Sequence, residues 1–519
     1  MSDTPKRTSC GLTDRWSMVK SALQIHRVDP SAYRLAYPDV AASGMDPAVH
    51  YAAHGRAEGR IPSRIALVAS SARKLLLIDR RFNDAIDGKG YDYVREIQGC
   101  ILQAAKFGSF RFIEVLCLYA RLICRLSGGR IICGIFKVIA IDEMREGIRT
   151  TFVRAASPYT FREPAIVGRD RHRPLRTITA PGQWIARIAG AKVIPGFQVI
   201  RGEHLIAYEP AGDPRNGFVA GLQSHLCEVR GRGDQVAVAA TYVETIKVDA
   251  AVLISGRCSP NYFHVVVEYL SKLTLVASCD QTANLPLIVD RRMFPQEWQA
   301  LSVLAPTSEL IAIDARTMIE VRDLHIVSQP TFHRDNLVQP PWLNAALTVE
   351  PLRLMRERVR TRFGITGDER LTHRLIYLAR RTGRFVLNGN EVEAALDALG
   401  FEVRYPEDLS FEDQVRLFSE ARVIVGPLGA AFTNLIFASP DAKVIALASP
   451  LLVDYCMQSN LAGVAGCDYV IFPGTHPLVG EPTEAQKRDI DLVMDSFSVD
   501  AERLADYVRD VISQLSSQH

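Results

Sequence analysis

The amino-acid sequence predicts an α/β protein whose C-terminal part is a doubly wound parallel sheet, and three observations carry that prediction. From Leu375 onward, short β-branched runs alternate with helical patterns: Leu375-Ile-Tyr-Leu-Ala379, Phe401-Glu-Val-Arg-Tyr405, Arg422-Val-Ile-Val and Lys443-Val-Ile-Ala-Leu447. One of these runs breaks at Gly426-Pro427-Leu428-Gly429 and restarts as an apolar segment that ends near Phe437. Earlier, Ala251-Val-Leu-Ile254 repeats the pattern, with Ser255-Gly256 as its turn and a helix from Asn261.

At 519 residues, 48% hydrophobic and 23% charged, the chain has the composition of a soluble globular protein of two or three domains. A net charge of +3 gives nucleic-acid binding no electrostatic support. The ten cysteines are scattered, without Cys-x-x-Cys or zinc-type spacing, as expected of free thiols in a reducing cytoplasm. Met1 to Gly11 is polar and lacks an apolar signal-peptide core.

Taken in order, Asp29-Pro30 to Ile61-Pro62 carries repeated helix start and stop signals and reads as a small helical module. Within it, His50 and His54 stand four apart without a third metal ligand nearby. Residues 65–141 read as helical and basic. Their most apolar part, 112–141, is interrupted by Glu114, Arg121, Arg125, Arg130 and Lys137, too often to span a bilayer. It fits either a helix lying on an anionic membrane surface or a buried helical subdomain. Short strands are expected at 175–179, 191–194, 198–200, 204–207, 251–254, 285–289, 310–313 and 324–327. A first α/β domain then ends near Gln329-Pro330 or Pro340-Pro341. A helix over 349–363 crosses into the second domain, and an amphipathic helix over 499–515 closes the chain.

Two places carry chemistry. A Gly-rich turn between strand and helix aims backbone N–H groups outwards and suits a phosphate, with Arg380, Arg381 and Arg384 at the mouth of a neighbouring strand. On the helix after Pro260, Asn261, His264, Glu268 and Lys272 share one stripe, which faces either solvent or a cleft. Glu268 sits one turn beyond His264, close enough to hold one imidazole nitrogen and leave the other as a base. Asp489-Ile-Asp491 lies on a helical stretch where its carboxylates diverge, so no essential metal is expected. A dinucleotide oxidoreductase is disfavoured, because no Gly-x-Gly-x-x-Gly follows a strand with an acid about 20 positions on.

Asn261-Tyr-Phe-His264 to Glu268, Ile376-Tyr-Leu-Ala-Arg380, Gly400-Phe-Glu-Val, Asp408-Leu-Ser, Gln414, Ala421 to Ala430 and Thr433-Asn434-Leu-Ile-Phe437 occur in the order found in glycosyltransferase family 61. The resemblance spans 175–447, and the module at 29–62 resembles one found in bacterial polysaccharide-synthesis proteins. Leu428 stands where the family usually has His, Ala431 where it has Gly, and Val265 where it has an aromatic residue. The resemblance implies a GT-B-like pair of Rossmann-type domains with a helical N-terminal extension. It further implies inverting transfer from a nucleotide sugar to a glycan acceptor in bacterial surface or capsular polysaccharide synthesis. The alternative is a catalytically silent nucleotide- or sugar-binding member.

The expected organisation is a flexible N-terminus over 1–28, the module at 29–62 and a helical basic region at 63–150. An acceptor-side α/β domain at 151–345 and a nucleotide-sugar domain at 346–519 follow. His264 and Glu268 are the catalytic candidates, and Asn261 and Tyr262 lie on the acceptor side. The donor would meet Arg380, Arg381, Arg384, Asn388, Glu391, Gln414, Gly426, Pro427, Gly429, Ala430 and Asn434. The expected location is cytoplasmic, with peripheral inner-membrane contact through 112–141.

Overall fold

The computed structural model describes residues 27–71, 90–126, 130–141, 143–144, 147–169, 174–180, 182–209, 226–229, 233–332, 346–365 and 373–517. Most of the N-terminus expected to be flexible, and the boundary at Pro340-Pro341, lie outside them.

The segment read as a small helical module holds short helices, Pro30–Ala36, Pro38–Ser43, Pro47–His50 and Tyr51–Gly55. Asp29 caps Pro30–Ala36 and Asp46 caps Pro47–His50, each accepting two backbone N–H bonds. Tyr33, Val40 and Tyr51 fill its centre, and the Tyr33 hydroxyl lies 3.3 Å from His50 Nδ1. Ala32 and Ala36 continue into a core shared with Gly90–Lys106 and Phe110–Leu126. The region expected to be helical over 63–150 departs from that reading after residue 126. Arg130–Ala140 and Ile148–Arg154 are strands. A short apolar run fits a strand as well as a buried helix, and Ser127-Gly128-Gly129 marks the change in the sequence.

The first domain is built on an 11-stranded mixed sheet. Leu310–Ile313, Leu287–Asp290, Glu244–Leu253 and Thr317–Val327 lie side by side in that order, all parallel. In chain order these neighbours read third, second, first, fourth. The strand order therefore reverses between Glu244–Leu253 and Thr317–Val327, the kind of place where open α/β sheets bind ligands at the carboxyl ends of the strands. Beyond Thr317–Val327 the sheet continues mainly antiparallel, starting with Gln183–Ile194. The first domain is thus Rossmann-like over four strands only.

The second domain carries a six-stranded parallel sheet in the order Glu402–Arg404, Arg374–Leu378, Ala421–Pro427, Lys443–Ala448, Asp468–Pro473, Ala165–Ile166. Its own five strands run second, first, third, fourth, fifth, so its switch point lies between Arg374–Leu378 and Ala421–Pro427. The edge strand Ala165–Ile166 comes from the segment assigned by sequence to the first domain.

One apolar core joins the two domains. Val252, Val265, Leu270 and Val327 of the first share it with Leu352, Leu428, Phe432 and Ile436 of the second. No helix of the described residues is long and apolar enough to cross a membrane.

Candidate active site

Strand Glu244–Leu253 ends in Ile254-Ser255-Gly256, and the chain then enters a π-helical turn, His264–Tyr269. Such turns are rare and frequently found at functional sites. The polar stripe runs from an exposed Asn261 through a half-buried His264 to Glu268, 3% exposed, and Lys272, fully buried, so its inner end is not a solvated face. His264 Nδ1 donates to Glu268 Oε2 at 2.7 Å, because a carboxylate can only accept. This fixes the tautomer and leaves Nε2 as an acceptor. Gln329, just past the end of Thr317–Val327, donates to the same Glu268 oxygen at 3.5 Å. The pair therefore sits at the first domain's switch point. Just before this turn, the Asn261 side chain accepts from Phe263 N–H at 3.2 Å.

At the second switch point the strand Ala421–Pro427 ends in the Gly-rich turn. A Cβ at Gly426 would press on Leu378 of the adjacent strand, and one at Gly429 would run into the Arg380 guanidinium. Only glycine admits both approaches. A 3₁₀-helix, Ala430–Phe437, follows in place of the expected α-helix. Its first N–H groups lack intrahelical acceptors and remain suited to an anion.

Arg380 and Arg384 crowd this turn. Burial and the neighbouring Arg384 hold Arg380 below its ordinary value, while burial does the same to Arg384. Arg384 has φ 44°, and its Nε is buried without a hydrogen-bond partner among the described residues. Two desolvated cations with so little compensating charge form a site that an anion would stabilise.

Other residues expected to meet the donor are committed elsewhere. Arg381 makes a two-pronged bond to Asp408, 2.9 and 2.7 Å, with its guanidinium 3.8 Å from the centre of the Tyr405 ring. Asn388 exchanges hydrogen bonds with the Val499 backbone, 2.8 and 3.0 Å, and also donates to Glu391 at 2.9 Å, tying the loop to the C-terminal segment. Asn434 donates to Gln414 at 2.6 Å and accepts from the Tyr262 hydroxyl at 2.8 Å, while Gln414 donates to Pro406 O. That buried chain couples the helix carrying His264 to the phosphate turn, so Tyr262, Gln414 and Asn434 act as a brace. Leu428 is 2% exposed within the shared core, and its N–H donates to Leu447 O. Its side chain is therefore turned away from the anion site. Asp489 caps Ile490–Met494.

Tyr455 was not foreseen. Its buried phenol lies within electrostatic reach of both Arg384 and Glu268, and burial pushes it up to about 12. It is the residue that stands between the arginine pair and the His264–Glu268 pair. A lone tyrosine in a loop after Lys443–Ala448 carries no motif, so only the fold reveals it.

The structure thus places, at the carboxyl ends of parallel strands in two sheets, an arginine pair with little compensating charge and an imidazole whose Nδ1 is held by Glu268. Residues 262–445 match the family model Glycosyltransferase 61, and the chain carries a glycosyltransferase domain of that family. This membership supports glycosyltransferase activity. The match is narrower than the span 175–447 read from motifs, and it begins at Tyr262, two residues before His264. No curated protein matches the chain.

Proposed function

We propose that the chain is an inverting glycosyltransferase of GT-B-like architecture, moving a sugar from a nucleotide-sugar donor to a glycan acceptor in bacterial surface or capsular polysaccharide synthesis. The observation that carries this reading is the pair of half-buried arginines, Arg380 against Gly429 and Arg384 beside it, in the same fold as the His264–Glu268 pair at the end of Glu244–Leu253. In this reading the donor diphosphate lies against Arg380, Arg384 and the N–H groups of 429–431. His264 Nε2 accepts the proton of the acceptor hydroxyl. The acceptor oxygen forms the new bond to the anomeric carbon as the bond to the diphosphate breaks, and the leaving electron pair goes to a phosphate oxygen held by the arginines. Cation chemistry at the leaving group falls to arginine, so transfer is expected to persist in a chelator.

The test is product formation with a panel of nucleotide sugars. His264→Ala and His264→Gln should keep nucleoside diphosphate affinity within about threefold while turnover falls about 10²-fold or more. Glu268→Gln should cost less, since it disturbs orientation alone. Normal turnover in both His264 variants would remove the imidazole from the base role. The alternative, a silent binding member, predicts binding without product. Leu428 gives it little support, because the side chain packs in the core.

The reading also includes a cytoplasmic location, in keeping with described cysteines that are all free thiols. Membrane contact would come from the outward face of Phe110–Leu126, where Val115, Leu118 and Leu122 stand exposed beside Arg111 and Arg125.

A further inference from the structure

Behind His264 and Glu268 lies a buried set of charges that the proposed chemistry leaves unused. Lys272, one turn beyond Glu268, is completely buried. Its ammonium donates to Ile254 O at 3.3 Å and stands 5.0 Å from the Tyr269 ring centre and 6.0 Å from that of Tyr208. Glu209 and Arg257 form an ion pair at 2.8 Å with side chains 5% and 8% exposed, and Arg257 N–H donates to Glu209 Oε1 at 3.2 Å. The sequence makes room for this at Gly256, where a Cβ would collide with Glu209 and Tyr269. Burying four charged side chains is costly unless each serves another.

We propose that Lys272, buried one turn beyond Glu268 and balanced by the Glu209–Arg257 pair, is a positioning residue whose charge acts through Glu268 and thereby sets the proton affinity of His264. The inference rests on the reading of His264 as base and adds the device that tunes it. Glu209 and Glu268 are the carboxylates whose charge acts on Lys272. Burial draws the ammonium down to about 8, and the two carboxylates oppose that by favouring the cation. The other groups facing this set are Arg257, Cys258, Tyr208, Tyr269 and, from the second domain, Tyr455. Burial raises the last four of these, so they stay neutral and the balance lies among Lys272, Arg257, Glu209, Glu268 and His264.

The charge balance gives two opposite signs. Removing the Lys272 cation leaves an excess of carboxylate beside the imidazole, which favours the imidazolium. Removing the Glu209 anion leaves an excess of cation, which disfavours it. Structural damage alone would not reverse sign between the two variants. The test uses the full chain labelled with ¹³C-histidine, in which the His264 signal is assigned by its loss in His264→Gln. Lys272→Met should move the midpoint of that titration up by about one pH unit, and Glu209→Gln should move it down by a similar amount. The acidic limb of kcat/KM should follow in each, with nucleoside diphosphate affinity unchanged within about threefold. If Lys272→Met does not fold, Glu209→Gln alone decides through its downward shift. An unmoved imidazole midpoint overturns the proposal even where His264→Gln abolishes turnover and so sustains the base reading. Opposite shifts with normal turnover in His264→Gln would instead sustain the charge set and overturn the base.

Discussion

Arg380, Arg381 and Arg384 lie within one short loop, yet packing separates their roles. The fork of Arg381 is spent on Asp408, whereas Arg380 and Arg384 are half-buried within reach of each other's charge, and the Nε of Arg384 has no hydrogen-bond partner among the described residues. Isothermal calorimetry with a nucleoside diphosphate should therefore discriminate among them. Arg380→Ala and Arg384→Ala should each lose about 1.5–3 kcal/mol, the worth of a charged hydrogen bond, while Arg381→Ala binds almost normally. Equal losses in all three would make the effect a general one of positive charge. A different residue carries the pH dependence of stability. Burial raises Glu297 to about 7, while its carboxylate accepts from Phe294 N–H at 2.7 Å. An acid whose folded value lies above its unfolded one binds more protons when folded, so stability falls as pH rises from about 4.5 to about 7. Glu297→Gln removes that loss, and its melting-temperature advantage over wild type should grow across this window; a difference flat with pH would contradict it. The residue types at the site were legible in the sequence, because arginine, glycine and histidine at strand ends have limited uses. Their partners were not. Asp408 for Arg381, Val499 for Asn388 and Tyr262 for Asn434 are set by tertiary contacts that no local spacing encodes.

Among the elements, the second sheet was readable because each strand ends in its own Gly or Pro signal, and 374–378, 421–427 and 443–448 fall where the runs predict. The strand Arg130–Ala140 was not, since the apolar run after Ser127-Gly128-Gly129 fits a strand and a buried helix alike and period alone cannot tell the two apart. The helix before it, Phe110–Leu126, is apolar on both sides. Ile113, Leu116, Ala120 and Ile123 pack inward, whereas Val115, Leu118 and Leu122 are 58%, 64% and 54% exposed on the opposite face. Arg111 and Arg125 share that outer face with a single acid, Glu114, which suits an anionic lipid surface. Electrostatic attraction of about 1 kcal/mol per arginine adds to the apolar contact. The chain should co-sediment with phosphatidylglycerol vesicles at low salt and little with phosphatidylcholine. Replacing Leu118 and Leu122 by Asp should cut the bound fraction about tenfold while the far-ultraviolet spectrum stays unchanged. Equal binding to both lipids, or no effect of the substitutions, would exclude this face.

At the scale of the whole molecule, the two sheets are welded. Gln296 donates to Glu407 O and Leu409 O at 3.1 and 2.9 Å, Phe411 N–H donates to Gln299 at 2.6 Å, and Tyr262 reaches Asn434. Val349–Arg362 contributes Leu352, Met355 and Val359 to the core that both sheets share. Ala165–Ile166 also completes the second sheet from a distant part of the chain. Sequence alone suggested separable domains because a boundary shows as prolines and a helix, while a shared core leaves no local mark. A fragment beginning near Pro351 would expose this core and lose an edge strand, so it is a poor test of nucleotide binding. The full chain offers a better one. With a common core, the two α/β domains should unfold in one calorimetric transition, and a ligand that touches only the second should still raise the whole transition, by an amount set by its concentration relative to Kd. Independent domains would give two transitions, of which nucleoside diphosphate moves one. Leu428→His places a polar ring in the common core and should lower the single transition as a unit. A split into two transitions in that variant would show that the weld depends on this one contact, whereas a split already present in wild type would refute it.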